Sequence, residues 1–199
     1  MKSKFFAIIF MALSLFVLNA CTSIQGEKNF EKMTYGQRIE MLKTVNKLEE
    51  NGRIAIMPNK GRSFAVNCTY SYTPQAYSIE FLGPMGMQYA KVDVYANGTT
   101  FLNIRGDVYK GDNARELLKE QFNLDLPVEQ IPAIMFGTPK GELTFDEKGF
   151  VKTAKFNEEY QVNYKDYRAF RGVVLPKGIE IITPIAKVEF RVNDVTTLN

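Results

Sequence analysis

The sequence contains no histidine, no tryptophan and only two cysteines. Without histidine, the Ser–His and Cys–His pairs of nucleophilic catalysis and all histidine metal sites are excluded. The remaining acidic side chains lack the spacing of metal ligands, and we expect them on the surface: Asp107, Asp112, Asp125, Glu129 and Asp146. We therefore expect no catalytic residues and no metal site, and we predict that the protein is not an enzyme.

The sequence also has little excess charge of either sign. The formal net charge is +3, and two of the lysines, Lys2 and Lys4, lie at the N-terminus. No concentrated basic cluster of the kind that binds nucleic acid is present, so we expect no nucleic-acid partner. Cys68 lies in an alternating run on the face of Phe64 and Val66. We expect a buried thiol there that behaves as a small apolar side chain.

The N-terminus has the pattern of a bacterial lipoprotein signal. Two lysines precede an apolar segment, residues 5–18, that only Ser14 interrupts. This pattern is typical of a secretory signal peptide, and the segment is shorter than the ~20 apolar residues of a membrane-spanning helix. Cys21 directly follows the small residue Ala20, which resembles the site where lipoproteins are cleaved and acylated. The alternative is an ordinary signal peptide with a chance cysteine.

The lipoprotein pattern divides the chain into three parts. Residues 1–20 are the expected signal peptide, and their removal leaves 179 residues with a formal charge of +1. Residues 21–33 are polar and without periodicity, so they are expected to form a flexible tether that begins at the lipidated Cys21. Residues 34–199 form one domain. Thr22 lies where lipoproteins retained in the inner membrane usually have aspartate, which is compatible with export to the outer membrane.

The remaining chain predicts helices at the start and in the middle of the domain. Thr34 and Gln37 fit a capping box, and the apolar spacing that follows predicts a helix that ends at Asn51-Gly52. In the middle, Asp112 or Asn113 caps a helix that continues to residue 122. A second short helix begins at Leu126-Pro127, since proline suits the first helical turn.

Strands with period-two alternation occupy the rest of the domain. They lie between residues 52 and 105, with a tight hairpin at Asn97-Gly98, and again between residues 142 and 193, with a turn at residues 175–178. About ten or eleven strands with three helices predict a mainly β (α+β) fold. Strands this close pair antiparallel, and such a large sheet should curl, with helices on its concave face or at its end. Periodicity does not distinguish a solid core from a cavity beneath the helices.

At Phe81-Leu82-Gly83-Pro84-Met85-Gly86 the sequence resembles the LolB family, the outer-membrane receptors for lipoproteins. Segments that resemble this family occur in the family's order across residues 46–193: 51–54, 77–86, 112–118, 126–127, 136–139, 160–164 and 175–179. The chain departs from the family in having no tryptophan. Tyr160 stands where the family has one, and Met85 replaces the usual leucine of the loop.

The resemblance implies an incomplete, lipocalin-like antiparallel barrel closed by helices around an apolar cavity that binds acyl chains. The following residues on apolar faces are our candidates for the cavity wall: Phe64, Val66, Tyr77, Ile79, Phe81, Ile134, Met135, Val162 and Tyr164. An acyl chain is costly to expose to water, at ~0.8 kcal/mol per methylene. Such a cavity would therefore carry lipid without any chemistry.

The resemblance also implies partners and a location. A monomer anchored by its lipid on the periplasmic face of the outer membrane would accept acylated lipoproteins from a LolA-like periplasmic carrier and insert them. Apart from N-acyl and S-diacylglycerol groups on Cys21, no cofactor is expected. Two alternatives remain open. One is a related half-barrel lipoprotein that binds another hydrophobic ligand, and the other is a structural or assembly lipoprotein with a solid core.

The loop after the third predicted strand has a hypothesis of its own. Its glycines and proline predict a turn, so Met85 should point outward between Pro84 and Gly86. An exposed apolar tip on a membrane-anchored protein would insert into the bilayer and assist the release of cargo. The alternative is a methionine that folds back onto the domain.

Overall fold

The computed structural model describes residues 32–156 and 158–199. The predicted signal peptide, Cys21 and almost all of the predicted tether lie outside these residues. Eleven strands form one antiparallel sheet in the order β6-β5-β4-β3-β2-β1-β11-β10-β9-β8-β7. The strands are β1 Leu48–Pro58, β2 Phe64–Thr73, β3 Ala76–Leu82, β4 Gln88–Tyr95, β5 Thr100–Ile104, β6 Asp107–Gly111, β7 Glu142–Phe145, β8 Val151–Phe156, β9 Tyr160–Phe170, β10 Val173–Ile182 and β11 Ala186–Leu198. The two outermost strands, β6 and β7, do not pair with each other, so the sheet is not closed. The predicted mainly β, incomplete barrel with helices is confirmed.

The first and last strands of the domain lie side by side at the centre of the sheet. β1 pairs with β11 along its whole length and with β2 on its other side. Gly52 is required at this position because a Cβ atom there would lie 2.5 Å from the backbone oxygen of Arg191. The close approach of two backbones explains this glycine inside a strand.

The first helix, α1 Tyr35–Leu42, is shorter than predicted. The capping box is present, since Thr34 N–H donates to Gln37 Oε1 at 2.8 Å and Gln37 N–H donates to Thr34 Oγ1 at 3.3 Å. The predicted extension to Asn51 is wrong, because Leu48 begins β1. From Leu48 onward every second side chain is buried, and the backbone hydrogen-bonds to two neighbouring strands. These ladders outweigh the helical spacing of the apolar residues.

The middle of the chain forms helices over one face of the sheet. They are α2 Ala114–Phe122, a 3₁₀ turn Val128–Gln130 and α3 Ile131–Met135. Asn113 caps α2, as predicted, by accepting hydrogen bonds from two backbone N–H groups. We call residues 114–139 the helical cover. Its buried apolar side chains pack into the same core as the inward side chains of the sheet.

Two further strand assignments differ from the sequence prediction. β6 was not predicted because every residue from 107 to 110 is exposed and no apolar alternation marks it. The predicted turn at residues 175–178 is wrong, since β10 continues through it. Proline is tolerated at position 176 because β10 pairs there only with β9, and its pairing with β11 begins at Gly178.

Cys68 lies in the core, as predicted. It is free and only 1% exposed. Burial raises the pKa of its thiol to about 12, so the reactive thiolate is not formed at neutral pH.

Candidate functional site

The nine predicted cavity residues differ in burial. Ile134 and Met135 are buried in the cover, and Tyr77, Val162 and Tyr164 are buried on the sheet beneath it. Val66, Ile79 and Phe81 are partly buried and pack against the same core. Phe64 is 50% exposed at the start of β2. The inner face is thus apolar, and the helical cover packs against it.

Two tyrosines of the sheet hold the cover by hydrogen bonds to its backbone. The Tyr77 hydroxyl on β3 donates to the carbonyl oxygen of Val128 at 3.0 Å. The Tyr164 hydroxyl on β9 donates to the carbonyl oxygen of Ile134 at 3.1 Å. Burial raises the pKa of both phenols, so both remain donors at neutral pH. These two neutral hydrogen bonds attach the cover to both halves of the sheet.

An ion pair fixes the loop between α2 and the 3₁₀ turn. The predicted surface position of Asp125 is wrong, because this ion pair lets the carboxylate be buried at 8% exposure. Arg115 Nε donates to Asp125 Oδ1 at 2.5 Å, and the Tyr160 hydroxyl donates to the same oxygen at 2.8 Å. The hydrogen bond from Arg115 lowers the pKa of Asp125, which stays ionised. The guanidinium also lies 5.3 Å from the centre of the Tyr160 ring. Tyr160 thus combines a hydrogen bond to Asp125 with an aromatic contact to Arg115.

Two openings lie at one end of the sheet. One has a volume of about 490 Å³, within the range of small-molecule pockets, and lies between the cover and the turns that join β2 to β3 and β4 to β5. Tyr72, Tyr77 and Val128 are among its lining residues. The other, of about 670 Å³, lies along β7 to β9 and includes Tyr164. The two tyrosines that hold the cover therefore each line an opening, and we call this end of the sheet the pocket end.

The predicted insertion loop lies at the opposite end of the sheet. Pro84–Gly86 forms one 3₁₀ turn, in which Met85 is 95% exposed with a left-handed backbone at φ 60°. The predicted outward direction of Met85 is therefore observed. Such a conformation is uncommon for a residue other than glycine, and strain of this kind concentrates at functional positions.

Exposed apolar and basic side chains surround Met85. Antiparallel pairing brings the β1–β2, β3–β4 and β5–β6 connections to one end of the sheet, which we call the loop end. Besides Met85, it carries Phe64, Met87 and Tyr89, which are 50%, 61% and 43% exposed. It also carries exposed basic and acidic side chains: Lys60, Arg62, Arg105 and Asp107. The guanidinium of Arg105 lies 4.5 Å from the centre of the Tyr89 ring. The periodicity did not indicate this grouping, since the members lie on three separate hairpins.

A buried polar pair on the inner face was also missed by sequence analysis. Glu50 on β1 is fully buried, and Tyr70, its direct partner on β2, is 1% exposed. In the part of the chain that the structure describes, neither carboxylate oxygen of Glu50 nor the Tyr70 hydroxyl has a hydrogen-bond partner. The sequence pattern had assigned this segment to the end of a helix, and it did not single out Glu50.

The described ranges contain no group of three histidine, cysteine, aspartate or glutamate residues that could hold a metal ion. In the same ranges no helix is both long enough and apolar enough to cross a membrane.

The fold and the site define a class of proteins in which an open antiparallel sheet lies with its apolar face under a helical cover. A likeness in fold is found with the crystal structure of a DUF1329 family protein from Desulfovibrio piger, at a TM-score of 0.53 and 10% identity, covering 81% of this chain and 90% of that one.

Sequence comparison assigns the family. The family described as Outer membrane lipoprotein LolB matches residues 46–194. The "Outer-membrane lipoprotein LolB" of Photorhabdus laumondii is 24% identical over 188 residues, covering 91% of this chain and 90% of the relative. That of Aggregatibacter actinomycetemcomitans is 22% identical over 203 residues, covering 96% and 98%. The chain belongs to the LolB family of outer-membrane lipoproteins, which confirms the resemblance and the outer-membrane location predicted from the sequence.

Proposed function

We propose that this protein accepts the acyl chains of lipoproteins between the sheet and the helical cover, and then inserts them into the outer membrane. The observation that carries the proposal is the apolar inner face beneath a cover that Tyr77 and Tyr164 attach by single hydrogen bonds. The LolB family is one of lipoprotein localisation proteins rather than of enzymes. Binding and release of lipid need no catalytic group.

The energies favour displacement of the cover by lipid. Moving a chain of about sixteen carbons out of water is worth on the order of 12 kcal/mol. A neutral intramolecular hydrogen bond contributes about 1 kcal/mol net. The charge-assisted bond from Tyr160 to Asp125 contributes about 1.5–3 kcal/mol. Breaking it together with the Tyr77 and Tyr164 hydrogen bonds would thus cost less than half of the gain. Acyl chains would replace the apolar contacts that the cover loses.

Cargo and membrane would contact different ends of the domain. The two openings lie at the pocket end, and one of them borders the cover. A LolA-like carrier loaded with an acylated lipoprotein would dock at this end. Met85 at the loop end would insert into the bilayer, where burial of one such side chain is worth about 1.5–3 kcal/mol. Pro84 and Gly86 would shape the turn that presents it.

The N-terminal segment would supply the anchor. We propose that Cys21 carries the acyl and diacylglycerol groups and that residues 22–33 tether a monomeric domain to the periplasmic face of the membrane. Apart from this covalent lipid, the function requires no cofactor. Mass spectrometry of the mature N-terminus would test the lipidation of Cys21, since an unmodified thiol there would refute it.

A transfer assay tests the proposal. The mature chain with Cys21→Ala is mixed with the periplasmic carrier of the same organism, loaded with a lipoprotein, and the two are separated. We expect the lipoprotein to move to this protein. If cargo stays on an active carrier while the acceptor is folded, the receptor function is refuted.

A structural or assembly role is the second candidate, because the cover fills the inner face in this structure. Ile134 and Val162 are both fully buried, as in a solid core. A protein of this kind would bind no acyl lipid under any condition. Lipid binding with displacement of the cover would exclude it, and copurification of a different hydrophobic ligand would favour a half-barrel lipoprotein with another cargo.

A further inference from the structure

The buried pair Glu50 and Tyr70 is unusual for its surroundings. The two residues face each other across β1 and β2 on the inner face of the sheet. Their polar atoms have no hydrogen-bond partner among the described residues. Burying such groups unpaired destabilises a fold, and apolar side chains of similar size would avoid the penalty. The pair therefore calls for an explanation other than stability.

The immediate surroundings of Glu50 favour a neutral carboxyl group. The ionisable groups that interact with it are the Cys68 thiol and the Tyr70 phenol, both of which are protonated at neutral pH. Burial raises the pKa of Glu50 to about 8. At neutral pH the pair thus offers two O–H donors, one from a carboxylic acid and one from a phenol.

The pair lies close to the pocket. Tyr72 on β2 lines the 490 Å³ opening. Tyr70 is the next residue inward on the same face of this strand. The ring of Tyr70 lies 6.2 Å, centre to centre, from the ring of Tyr77, which also lines the opening and holds the cover. Displacement of the cover at Tyr77 would therefore uncover Tyr70 and then Glu50.

We propose that Glu50 and Tyr70 form a polar subsite under the cover that donates hydrogen bonds to the ester carbonyl oxygens of an acylated glycerol. Ester carbonyls accept hydrogen bonds and have no proton to donate, which matches a pair of donors. The apolar inner face on either side would hold the acyl chains. The subsite rests on the proposed function and specifies which part of the lipid is recognised.

The test compares ester and ether ligands on the full mature chain with Cys21→Ala. The probes are an S-diacylglyceryl-cysteine peptide and the matched S-dialkylglyceryl ether peptide, which has equal chains and the same peptide but no ester carbonyl oxygens. With two hydrogen bonds of about 1 kcal/mol each, we expect the ester peptide to bind about thirtyfold more tightly. Tyr70→Phe and Glu50→Leu should each reduce this preference severalfold while leaving the affinity for the ether peptide in place.

Two further variants separate recognition from packing. Glu50→Gln keeps an N–H donor at the site and should retain most of the ester preference. Tyr72→Phe alters a neighbouring tyrosine on the same strand and should change binding of both peptides by the same factor. If Tyr72→Phe loses the ester preference and Tyr70→Phe keeps it, the ester is recognised elsewhere and the subsite is refuted.

The outcomes distinguish the subsite from the proposed function. If both peptides bind equally well to the unaltered protein, the subsite is refuted and acyl binding stands. If neither peptide binds, the acyl-binding function fails, and the subsite with it. Diester and diether phosphatidylethanolamine form a second pair of probes. An ester preference there as well extends the ligand class to phospholipids, and its absence restricts the subsite to the lipopeptide head.

Discussion

Replacing Glu50 with glutamine should remove most of the pH dependence of folding stability between pH 5 and pH 7.5. Burial raises the pKa of this carboxyl from 4.5 to about 8 in the folded chain. The folded state thus holds the proton more tightly than the unfolded state. The resulting stabilisation is fully present below pH 4.5 and is lost as the pH rises toward 8.

The size of the effect follows from the two pKa values of Glu50. Proton linkage with values of 4.5 and about 8 gives a loss of about 3 kcal/mol in the free energy of unfolding between pH 5 and 7.5. For a typical urea dependence of about 2 kcal/mol per molar, the midpoint of urea unfolding should fall by about 1.5 M. The variant lacks the ionisable group, and its midpoint should stay nearly constant.

The composition of the chain makes the range from pH 5 to 7.5 suitable for measuring the titration of Glu50. No histidine titrates within it, because the sequence contains none. Asp125 and Glu180 have lowered pKa values, caused first by hydrogen bonds from Arg115 and Asn163. Their stabilisation is present above the unfolded pKa and is lost only at lower pH. The window therefore isolates Glu50.

The assay is urea unfolding of the mature chain with Cys21→Ala, followed by circular dichroism at a series of pH values. Glu49→Gln is the matched control, because Glu49 precedes Glu50 on the same strand but points to the other face, where it accepts a hydrogen bond from Thr196. We expect this control to keep the slope of the parent protein. A parent that gains stability from pH 5 to 7.5, or a Glu50→Gln variant with the same slope as the parent, would refute the reasoning.

Three further predictions concern the cover and the loop end. Met85→Glu should leave lipoprotein capture intact and impair delivery to vesicles, because a charged tip does not enter the bilayer; unchanged delivery would exclude a role for the loop. The double variant Tyr77→Phe with Tyr164→Phe should accelerate amide hydrogen exchange in residues 114–139, since each substitution removes a hydrogen bond worth about 1 kcal/mol. Tyr109→Phe, on the exposed edge strand β6, is the control, and equal exchange in the double variant and the parent protein would contradict a cover held by these tyrosines. Replacing Lys60, Arg62 and Arg105 with glutamine should weaken binding to vesicles that contain anionic lipid, by about 1 kcal/mol per charge near the surface, and leave binding to neutral vesicles unchanged. An equal loss of binding to both kinds of vesicle would mean that these residues act through the fold and not through the charge of the membrane.

Much of this architecture follows from local sequence patterns. The Asn97-Gly98 turn, the capping box at Thr34 and the Asn113 cap each satisfy backbone groups within a few residues, so the sequence specifies them without knowledge of the fold. The exposed tip at Met85 was predictable for the same reason. A turn rich in glycine and proline leaves its central side chain outside.

The errors arose where distant pairing decides the local structure. Leu48 continues the helical spacing of Leu42 and Val45, but β2 and β11 hydrogen-bond to both sides of residues 48–51. Glu50 was missed as a consequence, because the alternation of β1 buries it and its partner Tyr70 lies twenty residues away. The grouping of basic and apolar side chains at the loop end also depends on strand order, which periodicity does not reveal.

The packed interior of this structure is compatible with a lipid carrier. An empty apolar cavity costs about 24 cal/mol per Å³, so an unfilled pocket of about 400 Å³ would cost about 10 kcal/mol. That is comparable to the whole stability of an ordinary domain. A free acyl-binding domain should therefore close, and the cover fills the inner face here with Ile134 and Met135. Hydrogen bonds from the hydroxyls of Tyr77, Tyr160 and Tyr164 help to hold the cover in place, at a combined strength that acyl chains exceed. The closed state that resembles a solid core is, on this argument, the expected resting state of a receptor between two cargoes.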